Sequence, residues 1–479
     1  MQALLPDMLG FFSFLLAAYF VAGNGTYTLL MILSLASVWL HSRNHHSGSL
    51  QQLRESPLTP PATIIMPAWN EEDVIVDSVR SILQTDYPGV QVCVVDDGSS
   101  DRTLDRLIAA FELSPAILIA HPRLPSRPVR GFYVNPDLPN LLVISKENGG
   151  KPDALNAGLN MCRTPYFCTL DSDCILERDA LLRLMLPVVN SPVPIVASGG
   201  IVRVLNGCTV TDGQVAKIDL PPSALERFQV VEYLRSFLFG RTGWNLLGGT
   251  VILSGAFALF QLETVLQAGG FSGDTVTEDM ELVVRLRRWA VDRERTFRTA
   301  FTSDPVCWAQ CPADLRMLGR QRRRWQLGLC QTLRKNSQML FNPAFGALGL
   351  MSLPFQAFVE ALGAVVELAG YLVIPVAACL DPSLLRFLLP FVLLSLAYSG
   401  LVSVSAVALE EFSYRRYRSA RNLTILLVYA LLENFGYRQI VLWFRFEGVM
   451  RFLVGSHRWE KVVHVAGGER AEVGVEESA

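Results

Sequence analysis

Residues 90–101 read Val90-Gln-Val-Cys-Val-Val-Asp96-Asp97-Gly98-Ser99-Ser100-Asp101. A β-branched apolar run that stops at two carboxylates and a glycine predicts a buried strand delivering acidic side chains to its carboxyl end. Upstream, residues 62–66 (Ala-Thr-Ile-Ile-Met) form a second short run, ending at Pro67. Between the two runs, residues 73–83 carry apolar positions at helical spacing. Strand, helix, strand is the repeating unit of a parallel sheet. Residues 141–144 and 166–170 are two further strand candidates. Ligands of open parallel sheets sit at the carboxyl ends of the strands, and the acidic motifs of this chain fall at such ends. The middle of the chain, 60–341, therefore reads as a nucleotide-binding α/β domain.

The flanks are different. The chain has 479 residues, 51% of them hydrophobic and 18% charged, and the apolar runs crowd its two ends. Residues 11–40 are almost wholly apolar except at Gly23-Asn24-Gly25-Thr26. That length suits a kinked membrane span, or an interfacial piece followed by a span. A cleaved signal peptide fits less well, because no basic segment precedes the stretch and it is too long. Arg43, His45 and His46 follow it and put the chain beyond residue 40 on the cytosolic side. Residues 345–358, broken by Pro354, suggest an interfacial helix. Spans are expected at 357–380 and 384–409, with another at 423–446, for three to five in all. The basic loop of Arg415, Arg416, Arg418 and Arg421 belongs inside. Glu360, Glu367, Glu433, Arg438 and Arg445 fall within apolar stretches, where charges normally face protein or water. The expected organisation is an N-terminal transmembrane segment (1–42), the α/β domain (60–341), interfacial and transmembrane helices (342–460) and a polar tail (461–479). A net charge of −2 gives no sign of nucleic-acid binding. The nine cysteines form no CxxC pair and read as reduced thiols.

Four more motifs carry chemistry. In Lys146-Glu-Asn-Gly149-Gly150-Lys151-Pro152, the glycines lead into a helix, so free N–H groups and Lys151 would suit a phosphate; the bland reading is a polar loop. Asp171-Ser172-Asp173 follows an apolar run, and two carboxylates at that spacing can share a divalent ion with a diphosphate. Thr277-Glu278-Asp279 opens a helix over 280–290, where a carboxylate is either a cap or a general base. Gln321-Arg322-Arg323-Arg324-Trp325 is either a basic anchor with an interfacial Trp or a site for pyrophosphate and an acceptor sugar. The Asp96-Asp97-Gly98 turn is itself open to two readings, a base or ribose contact or a turn capped by Ser99 or Asp101.

The order of these motifs, with Pro67-Ala-Trp69-Asn-Glu-Glu72 ahead of them, resembles the processive family 2 glycosyltransferases, over roughly 60–330. These have a GT-A fold (Rossmann-like, with a mostly parallel sheet) and build cellulose, chitin, hyaluronan and poly-N-acetylglucosamine. The resemblance implies a membrane-embedded inverting enzyme, with its catalytic domain cytosolic between N- and C-terminal transmembrane helices of a bacterial inner membrane. It implies that Asp96 and Asp97 contact uridine, and that Lys151, Gln321 and Arg324 hold the diphosphate. Asp171 and Asp173 would position Mg²⁺ or Mn²⁺ and the nucleotide. Asp279 would be the base, with Glu278 beside it, and Ser254, Gly255 and Trp325 would meet the acceptor. The partners implied are a UDP-sugar, a growing glycan and membrane lipid; an accessory subunit is left open. Lys146–Lys151 and 433–439 look most like relatives that make poly-N-acetylglucosamine. Pro152 departs from the family pattern, which has a small residue there. The cyclic-di-GMP-binding signature of bacterial cellulose synthases is missing, which weighs against cellulose. A single transfer to a lipid acceptor is the alternative activity.

Overall fold

The computed structural model describes residues 4–43, 47–119 and 122–455. Twelve strands occur among them: β1 (Ala62–Ala68), β2 (Val90–Asp96), β3 (Ser114–Ala116), β4 (Val129–Val134), β5 (Leu141–Lys146), β6 (Tyr166–Leu170), β7 (Cys174–Leu176), β8 (Ile195–Val204), β9 (Thr209–Thr211), β10 (Gln214–Lys217), β11 (Phe257–Gln261) and β12 (Arg298–Ala309). Ten of them form one sheet in the order β3-β4-β5-β2-β1-β6-β11-β8-β12-β7, and β9 with β10 makes a separate hairpin. β5, β2, β1 and β6 run parallel. β11 enters antiparallel between β6 and β8. β8 and β12 again point with β1, so the sheet is mixed but most of its strands share one direction. Every residue of β1 and β8 is buried, as expected of strands covered on both faces.

The strand ends match the sequence reading closely. The helix expected over 73–83 spans Ile75–Leu83, and that expected over 280–290 begins earlier, at Glu278. This puts both carboxylates of the Glu278-Asp279 pair in the first helical turn.

The apolar flanks are helical. Leu4–Arg43 is one uninterrupted helix, so the break expected at 23–26 does not interrupt it. Ala18–Leu40, Leu348–Leu380 and Pro382–Ser413 are long and apolar enough to cross a membrane. The stretch expected as a span at 423–446 divides into Ala420–Leu432 and Tyr437–Val454, bent by 57°. The break falls at Gly436, whose φ of +101° no helix interior adopts. Four of the five charges expected within apolar stretches are paired. Glu433 meets Arg438 at 2.7 Å and also Arg235, and Arg445 meets Glu360 at 2.8 Å. His45, His46 and the tail at 461–479 lie outside the described residues. The nine cysteines are free thiols, seven of them buried.

One buried ion pair joins the sheet to the apolar helices. Arg203 of β8 donates to Glu410 of the Leu385–Ser413 helix at 2.6 Å, and both side chains are almost wholly buried. Removing one partner strands a charge in low dielectric, which costs about 3–5 kcal/mol, whereas replacing both with apolar groups is far milder. Glu410→Ala should therefore lower the unfolding temperature of the detergent-purified protein sharply, and Arg203→Met/Glu410→Met should recover most of the loss. A wild-type melting temperature for Glu410→Ala would show that this pair does not dock the helices.

Candidate active site

The site grows from the carboxyl ends of β2, β5 and β6. β2 ends on Asp96, and the chain turns at Gly98 with φ +70°. A Cβ at Gly98 would lie 2.8 Å from the Asn148 amide nitrogen, so only glycine lets the two loops touch. Asp96 accepts from the Ser99 N–H at 3.1 Å and the Ser145 hydroxyl at 3.0 Å. Asp97 accepts from the N–H groups of Gly149 at 3.1 Å and Gly150 at 2.7 Å. It also pairs with Lys146, whose wholly buried ammonium meets Asp153 at 2.7 Å. This corrects one sequence expectation. The Gly149 and Gly150 amides are not free to receive a phosphate, because the Asp97 carboxylate is already their acceptor. Asp101 serves the turn, taking the Thr103 N–H at 2.9 Å.

That tie fixes where the next helix starts. Lys151 is the first residue of the helix Lys151–Met161. Its ammonium lies 2.5 Å from Asp171 and 3.0 Å from Glu278, and it donates to the Gly255 carbonyl at 3.4 Å. Four motifs spread over more than a hundred residues of chain thus meet on one cation. Burial disfavours the Lys151 ammonium, but Asp171 and Glu278 outweigh it and hold the group well above the ordinary lysine range. Burial, then the nearby Asp173 and Glu278 charges, push the Asp171 carboxyl up to about 6 despite Lys151. Burial also works against Glu278, but Lys151 and then Arg324 hold it below the usual carboxylate range. Asp279 goes the other way, raised by burial and by the Glu278 charge next to it. Two adjacent carboxyls pushed apart in this way are suited to different roles.

The Ser254-Gly255 loop abuts the raised acid. Ser254 is buried and accepts from the Ala256 N–H at 3.2 Å. A Cβ on Gly255 would lie 2.8 Å from Asp279 Oδ2. On the far side, the helix Leu315–Lys335 is locked to the Thr277 turn. Gly328 leaves room for Thr277, and Gln331 accepts from the Val276 N–H at 3.0 Å. The Arg324 Nε is buried with no partner among the described residues, beside Glu278. Trp325 is 40% exposed, with the Arg322 guanidinium 4.3 Å from its ring centre. Gln321 is turned inward and accepts from Arg322 at 2.5 Å, and Arg322 pairs with Glu232 at 2.7 Å. Glu232 and Arg241 are site-shaping residues that no motif announced. Glu232 meets Arg322, 90 residues away on another helix, and Arg241 sits at the end of an unusual helical turn and bonds the Leu253 carbonyl.

Among the described residues no group of three or more His, Cys, Asp or Glu is arranged for a metal. Asp171 and Asp173 are two hard carboxylate donors at one strand end, the first about a third exposed. A donor set of few carboxylates completed by ligand phosphates is what Mg²⁺ or Mn²⁺ takes, so the residues fit such an ion.

Residues 63–123 match the family description "Glycosyl transferase family 2", and residues 135–328 match "Glycosyltransferase like family 2". The chain belongs to glycosyltransferase family 2. Its sequence is similar to the poly-beta-1,6-N-acetyl-D-glucosamine synthase of Staphylococcus aureus strain MSSA476, at 26% identity over 266 residues, covering 56% of this chain and 54% of that protein. The enzyme of the same name from Staphylococcus epidermidis is 23% identical over the same length. The chain thus spans about half the length of the curated relatives it matches. Among solved structures, a mannosyltransferase from Pyrobaculum calidifontis in complex with GDP-Man and Mn²⁺ resembles it at 18% identity and a TM-score of 0.48, covering 91% of this chain and 100% of that one.

Because Gly255 and Asp279 touch, Gly255→Ala must displace either the loop or the carboxylate. A displacement near 1 Å at a reacting group costs roughly a hundredfold in rate. We expect glycosyl transfer to fall by about that factor while nucleotide affinity holds, measured by release of nucleoside diphosphate and by titration with it. Full activity in Gly255→Ala would mean that the contact is slack.

Proposed function

We propose that the chain is an inverting, processive hexosyltransferase of the membrane, building a β-linked, poly-N-acetylglucosamine-like polysaccharide from a UDP-sugar. The observation that carries this reading is the Lys151 ammonium shared by Asp171 and Glu278, with Asp279 beside them and the 315–335 helix behind. Such a cluster supplies a cation for a diphosphate, carboxylates for an ion and a base for a hydroxyl. The apolar helices and the similarity to poly-N-acetylglucosamine synthases support a multi-pass protein of a bacterial inner membrane with a cytosolic 60–341 domain.

In this reading Asp96 faces the uridine, and Asp97 acts through the glycine loop that it holds. Lys151 and Arg324 bind the diphosphate, the latter through its unpartnered Nε, and Gln321 sets the position of Arg322 and Trp325. Asp171 and Asp173 would hold Mg²⁺ or Mn²⁺, which supplies charge neutralisation to the departing diphosphate. Asp279 takes the proton of the acceptor hydroxyl as its oxygen bonds to the anomeric carbon; the bond from that carbon to UDP breaks, and UDP leaves with its electron pair. Trp325 stacks beneath the acceptor sugar, and Ser254 and Gly255 wall its other side. Transfer and translocation repeat, with the membrane helices forming the exit path.

Two substitutions test the acid pair. Asp279→Asn should lower transfer from UDP-N-acetylglucosamine by about a thousandfold, within the range general bases contribute, with UDP binding intact. Retained activity would remove Asp279 as base. Glu278→Gln deletes the negative neighbour that raises Asp279, so Asp279 stays ionised to lower pH. The acid limb of its pH–rate profile should move downward, and a limb that stays or rises would contradict the pairing. Sizing the product separates a polymer from a single transfer to lipid.

A further inference from the structure

Arg241 lies outside every motif described above, yet it reaches the centre of the site. It closes the π-helical turn Ser236–Arg241, which continues the helix Ala224–Arg235. Single π turns inside helices re-aim the side chains that follow, and they recur at functional sites. Here the turn leaves the Arg241 guanidinium 3.8 Å from the centre of the Phe237 ring, stacked on its own helix. Its Nη1 donates to the Leu253 carbonyl at 2.6 Å. Leu253 immediately precedes Ser254-Gly255, the loop that touches Asp279. Among the described residues Arg241 has no carboxylate at ion-pair distance, and the acid whose charge acts most on it is Asp279. Burial pulls the guanidinium down to about 10, and Asp279 works against that fall. A cation this desolvated, stacked and held by one carbonyl is costly unless a nearby anion compensates.

We propose that Arg241 is a positioning residue for the transfer step: through Leu253 it holds the acceptor loop, and with it a positive charge, beside Asp279. This rests on the reading of Asp279 as the base. The charged groups facing Asp279 are then Glu278 on its own helix, Lys151 from the helix after the glycine loop, and Arg241 from the π turn. The first raises the acid, and the two cations lower it. Lys151 is committed to Asp171 and Glu278, which leaves Arg241 as the cation on which the Asp279 charge acts most among the acids. Arg241 therefore opposes Glu278, and losing it has the opposite sign to losing Glu278.

The test is the pH profile of kcat/KM for UDP release from UDP-N-acetylglucosamine at saturating Mn²⁺, with UDP affinity measured in parallel. Arg241→Gln should move the acid limb upward by about one pH unit, the scale of losing a neighbouring opposite charge, with UDP affinity unchanged. Arg241→Lys should keep the limb near its wild-type position. An active Arg241→Gln enzyme with an unmoved limb, or one that loses UDP affinity in step with activity, overturns the proposal. If Arg241→Gln does not fold, Arg241→Lys decides: a wild-type limb upholds the charge role, and a limb moved upward overturns it. Asp279→Asn run alongside separates the two possible failures. If Asp279→Asn is active, the base reading itself falls. If it is inactive while Arg241→Gln has an unmoved limb, only the role of Arg241 falls.

Discussion

A single ammonium group, that of Lys151, organises this protein's candidate site. Two acidic motifs converge on it, and the carboxylates of Asp171, Glu278 and Asp279, brought together around one point, repel one another. Without a buried cation among them, each would be driven toward its neutral form. With Lys151 between Asp171 and Glu278, Glu278 is held ionised while Asp279 is left raised. The difference between two neighbouring acids is thus made by which of them the lysine reaches.

Lys151 reaches them because the preceding loop is tied down. Asp97 accepts from the Gly149 and Gly150 amides and from the buried Lys146, so the helix begins at a fixed point above the strand ends. The run of glycines and lysines therefore divides its labour. Lys146 is structural, fully buried between Asp97 and Asp153, and Lys151 faces the site. The alternative reading of that stretch as a polar loop before a helix holds for its first half.

The site is also mechanically continuous with the apolar helices. Gly328 packs on Thr277, so the helix carrying Arg324 and Trp325 moves with the acid pair. The residue after Trp325, Gln326, accepts from Arg445 at 3.1 Å, and Arg445 in turn holds Glu360. Charges that looked out of place in apolar stretches are the links between the sheet domain and the helices around it. The burial of Glu360, Glu433, Arg438 and Arg445 is tolerated because each has an opposite charge within reach.

The sequence alone determined the four parallel strands β1, β2, β5 and β6, with the acidic ends of β2 and β6, and two helices to within two residues at their starts, because β-branched runs, turn glycines and helical spacing are local signals that tertiary packing rarely overrides when they agree. It also determined the apolar flanks, since length and hydropathy need no partner to be read. It misjudged the glycine amides, whose acceptor Asp97 lies some fifty residues upstream, and it assigned Asp96 and Asp97 one role where the structure gives each its own partners. Only the tertiary structure decided that Lys151 bridges Asp171 and Glu278, that Gly255 touches Asp279, and that Arg241 on a π turn reaches the acceptor loop. These are contacts between residues distant in the chain, and their geometry depends on how the sheet and helices pack, which no local pattern encodes.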